Sequence, residues 1–299
     1  MAHGFFIALF DILGFEERLK RFGLPGMLER YEALVDVVNY RKQHMQHVFG
    51  TLGFSESPYW TAEGDVFIFT ETYGTYASDS ILLWAYRTWP EARNASDEVF
   101  RTSSGNPADG WTFHPIPCDN FLDVCNDLMC RGIEIGLPLR GAVAIGDAVL
   151  DQDRGIFLGQ PIVEAARLES GQRLIGTSFC LSAANQVTPQ RFSLQFDKHL
   201  KDTHRHLCSG SMLDWPRHWR RTRNTDLSKA VAALNTDPKY ATYYENTLEL
   251  IALSETFAGK FESPKEMSVR TQYDPFSWDN TKLAVKARAV RRIPVEGDT

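Results

Sequence analysis

The stretch Phe5-Phe6-Ile7-Ala8-Leu9-Phe10-Asp11-Ile12-Leu13-Gly14-Phe15 decides how this chain is read. Its first six residues are apolar without interruption, the pattern of a strand buried on both faces. The run stops at Asp11, and the charged stretch Glu16 to Lys20 behind it can start a helix. An aspartate at the exposed end of a buried strand is in a position to hold a hard cation, whereas the plain alternative is turn chemistry.

From Met27 to Val48, the residues Leu28, Tyr31, Leu34, Val35 and Val38 recur at helical spacing, which predicts an amphipathic helix. Pro58-Tyr59-Trp60-Thr61 and Val66 to Thr70 flank Ala62-Glu63-Gly64-Asp65 and read as a hairpin with Asp65 in its turn. Ser78 to Trp89 is helical in pattern, and Asn94 to Pro117 is a long polar excursion rich in turn formers. A helix follows over Pro117–Ile133, then a strand at Leu139–Gly146 and a short strand at Ile156–Leu158. Pro161 to Glu169 is a helix with proline at its first position, and Arg173 to Thr177 a further strand. Strand-like segments continue to about Trp215. Beyond the basic cluster Arg217 to Arg223, the stretches Leu227–Leu234 and Tyr240–Phe257 are helical, and the last 40 or so residues are polar without period. This mixed order with hairpins predicts an α+β fold.

Composition sets bounds. The chain has 299 residues and a net charge of -6, which supplies no positive field for coating nucleic acid, so no stable nucleic-acid complex is expected. Its 19 Phe, 10 Tyr and 7 Trp demand burial and exclude disorder. No apolar run reaches the roughly 20 residues of a membrane span, and Met1 to Phe10 lacks the basic start and cleavage pattern of a signal peptide. Five cysteines without a CxxC (Cys118, Cys125, Cys130, Cys180, Cys208) predict a reduced, cytoplasmic chain.

Four segments occur in order: Asp11 to Phe15; Gly64-Asp65; Leu139-Arg140-Gly141-Ala142-Val143-Ala144-Ile145-Gly146; and Phe157-Leu158-Gly159 followed by Ala165-Ala166-Arg167-Leu168. Together they resemble the class III nucleotidyl cyclase catalytic domain over about residues 4–200. The resemblance implies a ferredoxin-like antiparallel sheet flanked by helices over residues 1–205, and the helical stretches behind it read as a mainly helical extension over 206–299. It implies two Mn²⁺ or Mg²⁺ ions per active site, held by Asp11, Asp65 and the carbonyl of Ile12. It implies that the amides of Leu13, Gly14 and Phe15, with Arg140, bind the triphosphate. Arg167 looks like the family's transition-state arginine, which the partner chain supplies, so a homodimer with active sites at its interface is implied.

The departures are specific. The family's base-reading residue, three before the Gly-Asp glycine, is here Thr61, and the adenine-reading position three before Gly159 is Ile156. Tyr59 and Trp60 stand beside Thr61, and strand alternation lets only one face a pocket. Val163 occupies the family's asparagine position. This combination is most similar to the pyrimidine cyclases of Pycsar anti-phage systems. The resemblance implies conversion of UTP to cUMP and pyrophosphate, with the product acting on a separate cyclic-nucleotide effector and no membrane involved. A cytidylate or purine cyclase, or a cyclase-like domain that binds nucleotide or a partner without turnover, are the alternatives.

Overall fold

The computed structural model describes residues 3–51, 59–60, 66–67, 72–87, 118–184, 192–196, 199–235 and 237–257. Thr61, Asp65, the excursion from 94 to 117 and the polar C-terminal stretch lie outside them.

A mostly antiparallel sheet runs through the molecule. Its strands are β1 (His3–Ile12), β4 (Tyr73–Ala77), β5 (Ser80–Tyr86), β6 (Leu139–Asp151), β8 (Gly176–Cys180), β9 (Ser193–Gln195) and β10 (Cys208–Leu213), in the order β4-β5-β1-β6-β8-β10-β9. A further strand, β7 (Ile156–Gly159), folds back on the far end of β6. Among the described residues, only the β6–β8 pair is parallel. β2 (Tyr59–Trp60) and β3 (Val66–Phe67) form a separate antiparallel pair, Tyr59 opposite Phe67 and Trp60 opposite Val66.

The sheet is covered on both faces, and residue alternation sorts the strands accordingly. Phe6, Ala8, Phe10 and Ile12 of β1 share one core with Ile81, Leu83 and Ala85 of β5. That core also takes in α1 (Phe15–Thr51), α2 (Asp119–Glu134), α5 (Trp215–Thr222), α6 (Leu227–Leu234) and α7 (Ala241–Thr256). Phe5 and Ile7 face the other way with Leu82 and Trp84, and on this side α3 (Gln160–Gly171) lies over β6 and β8 through Ala165 and Leu168. The α+β architecture with helices flanking a mostly antiparallel sheet is therefore present.

Three expectations are corrected. Ser78–Trp89 is not a helix: β5 is a central strand, and its apolar run lacks alternation because both of its faces are buried. The strand expected at Arg173–Thr177 begins at Gly176, because the Ile175 amide donates to the Thr247 hydroxyl of α7 at 2.9 Å rather than to a strand. α1 is one element from Phe15, interrupted at Gly23, which has a left-handed φ of 67°, just ahead of Pro25. Its buried stripe is Met27, Leu34 and Val38, while Leu28 is exposed.

The boundary drawn at residue 205 runs through one sheet, since β10 lies inside it and α5–α7 share the main core. The basic cluster Arg217–Arg223 is cement between helices rather than a solvated face. His218 Nε2 meets Asp127 Oδ1 at 2.7 Å, Arg223 Nε donates to Glu134 at 2.9 Å, and Arg220 donates to the Ser254 carbonyl at 3.0 Å. All five cysteines are buried and none is in a disulfide. Among the described residues, no helix is long and apolar enough to cross a membrane.

Candidate active site

The site forms where β1 ends. Antiparallel pairing sets Asp11 opposite Arg140, near the start of β6, and opposite Ser80, the first residue of β5. The β4–β5 hairpin closes through the two residues Ser78 and Asp79, with Ala77 paired to Ser80. Ser78 takes a positive φ of 56°, a conformation a two-residue hairpin turn demands and glycine tolerates better. The Asp79 carbonyl accepts the Ile12 amide at 2.9 Å, which fastens this turn to the end of β1. The Asp79 carboxyl thereby comes within hydrogen-bonding reach of Asp11. Asp79 was not singled out in the sequence, whereas Asp65, which was, lies outside the described residues.

Behind the aspartates the chain turns into α1 through Leu13 and Gly14. Gly14 has a φ of +71°, and a Cβ there would sit 3.2 Å from the Tyr240 ring, so the position suits glycine twice over. The Leu13 amide donates to the Pro138 carbonyl at 2.9 Å and holds the turn, so it does not face a ligand. Gly14 and Phe15 open the helix, where the first amides have no intrahelical acceptor. Arg18 braces the turn from inside: Nε donates to the Leu13 carbonyl at 2.9 Å and a terminal nitrogen to the Tyr244 hydroxyl at 2.9 Å.

Arg140 sits between two carboxylates. Its Nε and one terminal nitrogen both reach Asp11 Oδ2 at 2.9 Å. Glu169 Oε1 of α3 lies 2.7 Å from the same Nε, an ion contact rather than an aligned hydrogen bond, because the N–H points to Asp11. Burial raises the Asp11 pKa, Arg140 opposes the rise and Asp79 adds to it. Burial pushes Glu169 up to about 7, again against the pull of Arg140.

The sign for stability follows. A carboxyl whose folded pKa is raised contributes stability below its unfolded value near 4.5, and that contribution is lost as pH climbs through about 7. The groups facing Glu169 are Arg140 of β6, Asp11 of β1, Asp79 of the hairpin turn and Lys201. We expect the thermal midpoint to fall between pH 5 and pH 8. In Glu169→Gln that slope should flatten by an amount on the order of 2–3 kcal/mol. An unchanged slope in scans of both proteins would remove Glu169 as its source.

The remaining expected residues are placed as follows. Arg167 is exposed on α3, two residues before the inward-facing Glu169. Ile156 opens β7 opposite Asp151 and is half-buried. Tyr59 and Trp60 form β2, outside the main sheet. Val149 and Leu158 pair across β6 and β7 and are exposed, as is Val163 on α3.

The donor chemistry suits a divalent cation. Burial raises the Asp11 pKa and the neighbouring Asp79 adds to the rise, so a cation that draws on both carboxyls would be favoured there, and hard oxygens take Mg²⁺ or Mn²⁺. Among the described residues, no group of three or more His, Cys, Asp or Glu is gathered for an ion.

No protein-family model matches the chain, and no curated protein gives a significant match. Solved structures are similar to parts of it, among them the following three. A bacterial light-regulated adenylyl cyclase aligns with 78% of this chain at 10% identity and a TM-score of 0.39, and this chain spans 57% of its length. The catalytic core of a rhodopsin-guanylyl cyclase with converted specificity, in complex with ATPαS, aligns with 71% of this chain and 92% of its own, at 13% identity and a TM-score of 0.33. A class III adenylyl cyclase-like ATP-binding protein from Pseudomonas aeruginosa aligns with 87% of this chain and 44% of its own, at 11% identity and a TM-score of 0.33.

Proposed function

We propose that this chain is a metal-dependent nucleotidyl cyclase that converts a pyrimidine nucleoside triphosphate, UTP in the first place, to the 3′,5′-cyclic monophosphate and pyrophosphate. The observation that carries the reading is the Asp11–Asp79 carboxyl pair at the mouth of a glycine turn, with Arg140 beside it.

Asp11, Asp79 and the Ile12 carbonyl would hold two Mn²⁺ or Mg²⁺ ions, with Asp79 in the role that the resemblance gave to Asp65. When bound, the ions acidify the ribose 3′-OH and neutralise charge on the triphosphate. The chain's own groups do the rest. The amides of Gly14 and Phe15 donate to phosphate oxygens at the opening of α1. Arg140 turns its fork from Asp11 toward the phosphates, where bidentate geometry favours arginine over lysine. Arg167 is too exposed to serve a site under its own helix, and in this reading it reaches the site of a second copy. The exposed apolar residues Val149, Leu158 and Val163 stand near it in the chain and supply contact area for that homodimer.

Substrate choice follows from what the base meets. With Asp79 in the hairpin turn, the residue three before Ser78 is Thr75, again a threonine, so the residue type read at Thr61 is unchanged. Neither threonine offers the charge that a purine reader supplies, and Ile156 can accept no hydrogen bond. A purine that needs those partners is rejected. The wider role, a diffusible signal made in response to phage and read by a separate effector, rests on the resemblance to pyrimidine cyclases.

The deciding assay incubates the purified chain with Mn²⁺ and each of the four ribonucleoside triphosphates and resolves the products. We expect cUMP, with kcat/KM for UTP exceeding that for ATP or GTP by about tenfold or more. Equal turnover of ATP and UTP would overturn the specificity. No product from any of the four, with nucleotide still bound, would make this a binding domain, the outcome that Val163 at the asparagine position favours.

A further inference from the structure

Arg140 cannot serve two masters at Asp11. Both nitrogens that it offers there contact the same oxygen, Oδ2. A divalent cation held by Asp11 competes for the charge of that carboxylate and repels the guanidinium. Arg140 therefore has to leave Asp11 when the site fills, and its long stem gives it many places to go.

Glu169 limits the choice. It belongs to α3, a different element from the strand that carries Asp11, and its Oε1 lies 2.7 Å from Arg140 Nε. It is only 7% exposed, so solvent screens the pair little. α3 is itself pinned at this end, because Lys201 Nζ donates to the Ser170 carbonyl at 2.7 Å.

We propose that Glu169 is the positioning residue for Arg140. It keeps hold of Nε while Asp11 releases the guanidinium to take the cation, and it leaves the terminal nitrogens aimed at the phosphates. This rests on the cyclase reading above. Glu169 touches neither substrate nor ion; it acts through Arg140. Without its charge, Arg140 collapses onto the one carboxylate left to it, Asp11, and competes with the metal.

The test is a Mn²⁺ titration of the full chain, followed by the electron paramagnetic resonance of the free ion, on the wild type, Glu169→Gln, Arg140→Ala and the double variant. Thermal scans confirm that each is folded. Glu169→Gln is expected to bind Mn²⁺ about tenfold more weakly, the size of effect seen when residues behind metal ligands are removed. In the Arg140→Ala background the same change should make less than about a twofold difference, because the residue through which Glu169 acts is gone. With UTP, Glu169→Gln should raise KM about tenfold and leave kcat within about threefold. Equal Mn²⁺ affinity in Glu169→Gln and wild type would overturn the proposal, as would a tenfold loss that persists without Arg140. The two readings fail separately. A chain that shows these metal shifts but makes no cyclic nucleotide keeps the positioning role and loses the cyclase assignment. An active cyclase indifferent to Glu169→Gln does the reverse.

Discussion

Asp79→Asn is expected to lower kcat for cyclic product about 1000-fold, or some 4 kcal/mol in the barrier, while leaving the protein folded. The loss is large because the substitution removes one of two carboxylates that would carry the ions, and an amide oxygen cannot replace the charge. Folding should not suffer. In the protein without metal Asp79 raises the Asp11 pKa, so the two carboxyls oppose each other there and the asparagine relieves the conflict. The thermal midpoint should therefore stay level or rise slightly while activity vanishes, a combination that damage to the fold cannot produce. Asp65→Asn is the companion variant. Should Asp65→Asn abolish activity and Asp79→Asn retain it, the metal pair would be Asp11 with Asp65, and the assignment made from the hairpin turn would fall.

The largest effect on stability is expected at Gly141, next to Arg140. It pairs with Phe10 across β1 and β6, and a Cβ there would lie 2.4 Å from the Phe10 ring and 2.8 Å from the Leu9 carbonyl oxygen. The ring can shift at a cost, but the carbonyl oxygen belongs to the central ladder and cannot move without breaking it. Gly141→Ala should cost about 3 kcal/mol and lower the thermal midpoint by on the order of 5–10 °C. Gly146, on the same strand, is the control. A Cβ there meets nothing closer than Pro161 at 3.4 Å, and Gly146→Ala should lie within about 0.5 kcal/mol of wild type. Equal midpoints for the two variants in denaturant and thermal scans would show that β1 and β6 have room to spare.

Much of the scaffold was legible because its signals were local. Phe5 to Phe10 is a doubly buried strand, and Pro161 starts α3 where proline is tolerated. The hairpin beside β1 was missed for physical reasons. Gly64-Asp65 is a louder turn signal than Ser78-Asp79, and serine in a left-handed conformation gives no warning of itself. The run Ile81 to Tyr86 lacks alternation because β5 is covered on both faces, and a short continuous apolar run does not distinguish strand from buried helix. Glu169 had left a trace. It falls on the same helical stripe as Pro161, Ala165 and Leu168, where a glutamate has to find a cation, and that cation is Arg140. The role of the basic cluster was not legible, because the pairing of Arg223 with Glu134 and of His218 with Asp127 joins residues about 90 positions apart.

The five interior cysteines have a consequence of another kind. Burial lifts the thiols of Cys125, Cys130 and Cys180 well above their ordinary range, so the nucleophilic thiolate is scarce where it is also unreachable. The native fold thus presents thiol-directed reagents with almost no thiolate to attack, and these cysteines become vulnerable only in the moments when it opens. Modification of these thiols is therefore paced by how often the core breathes rather than by the redox poise around it.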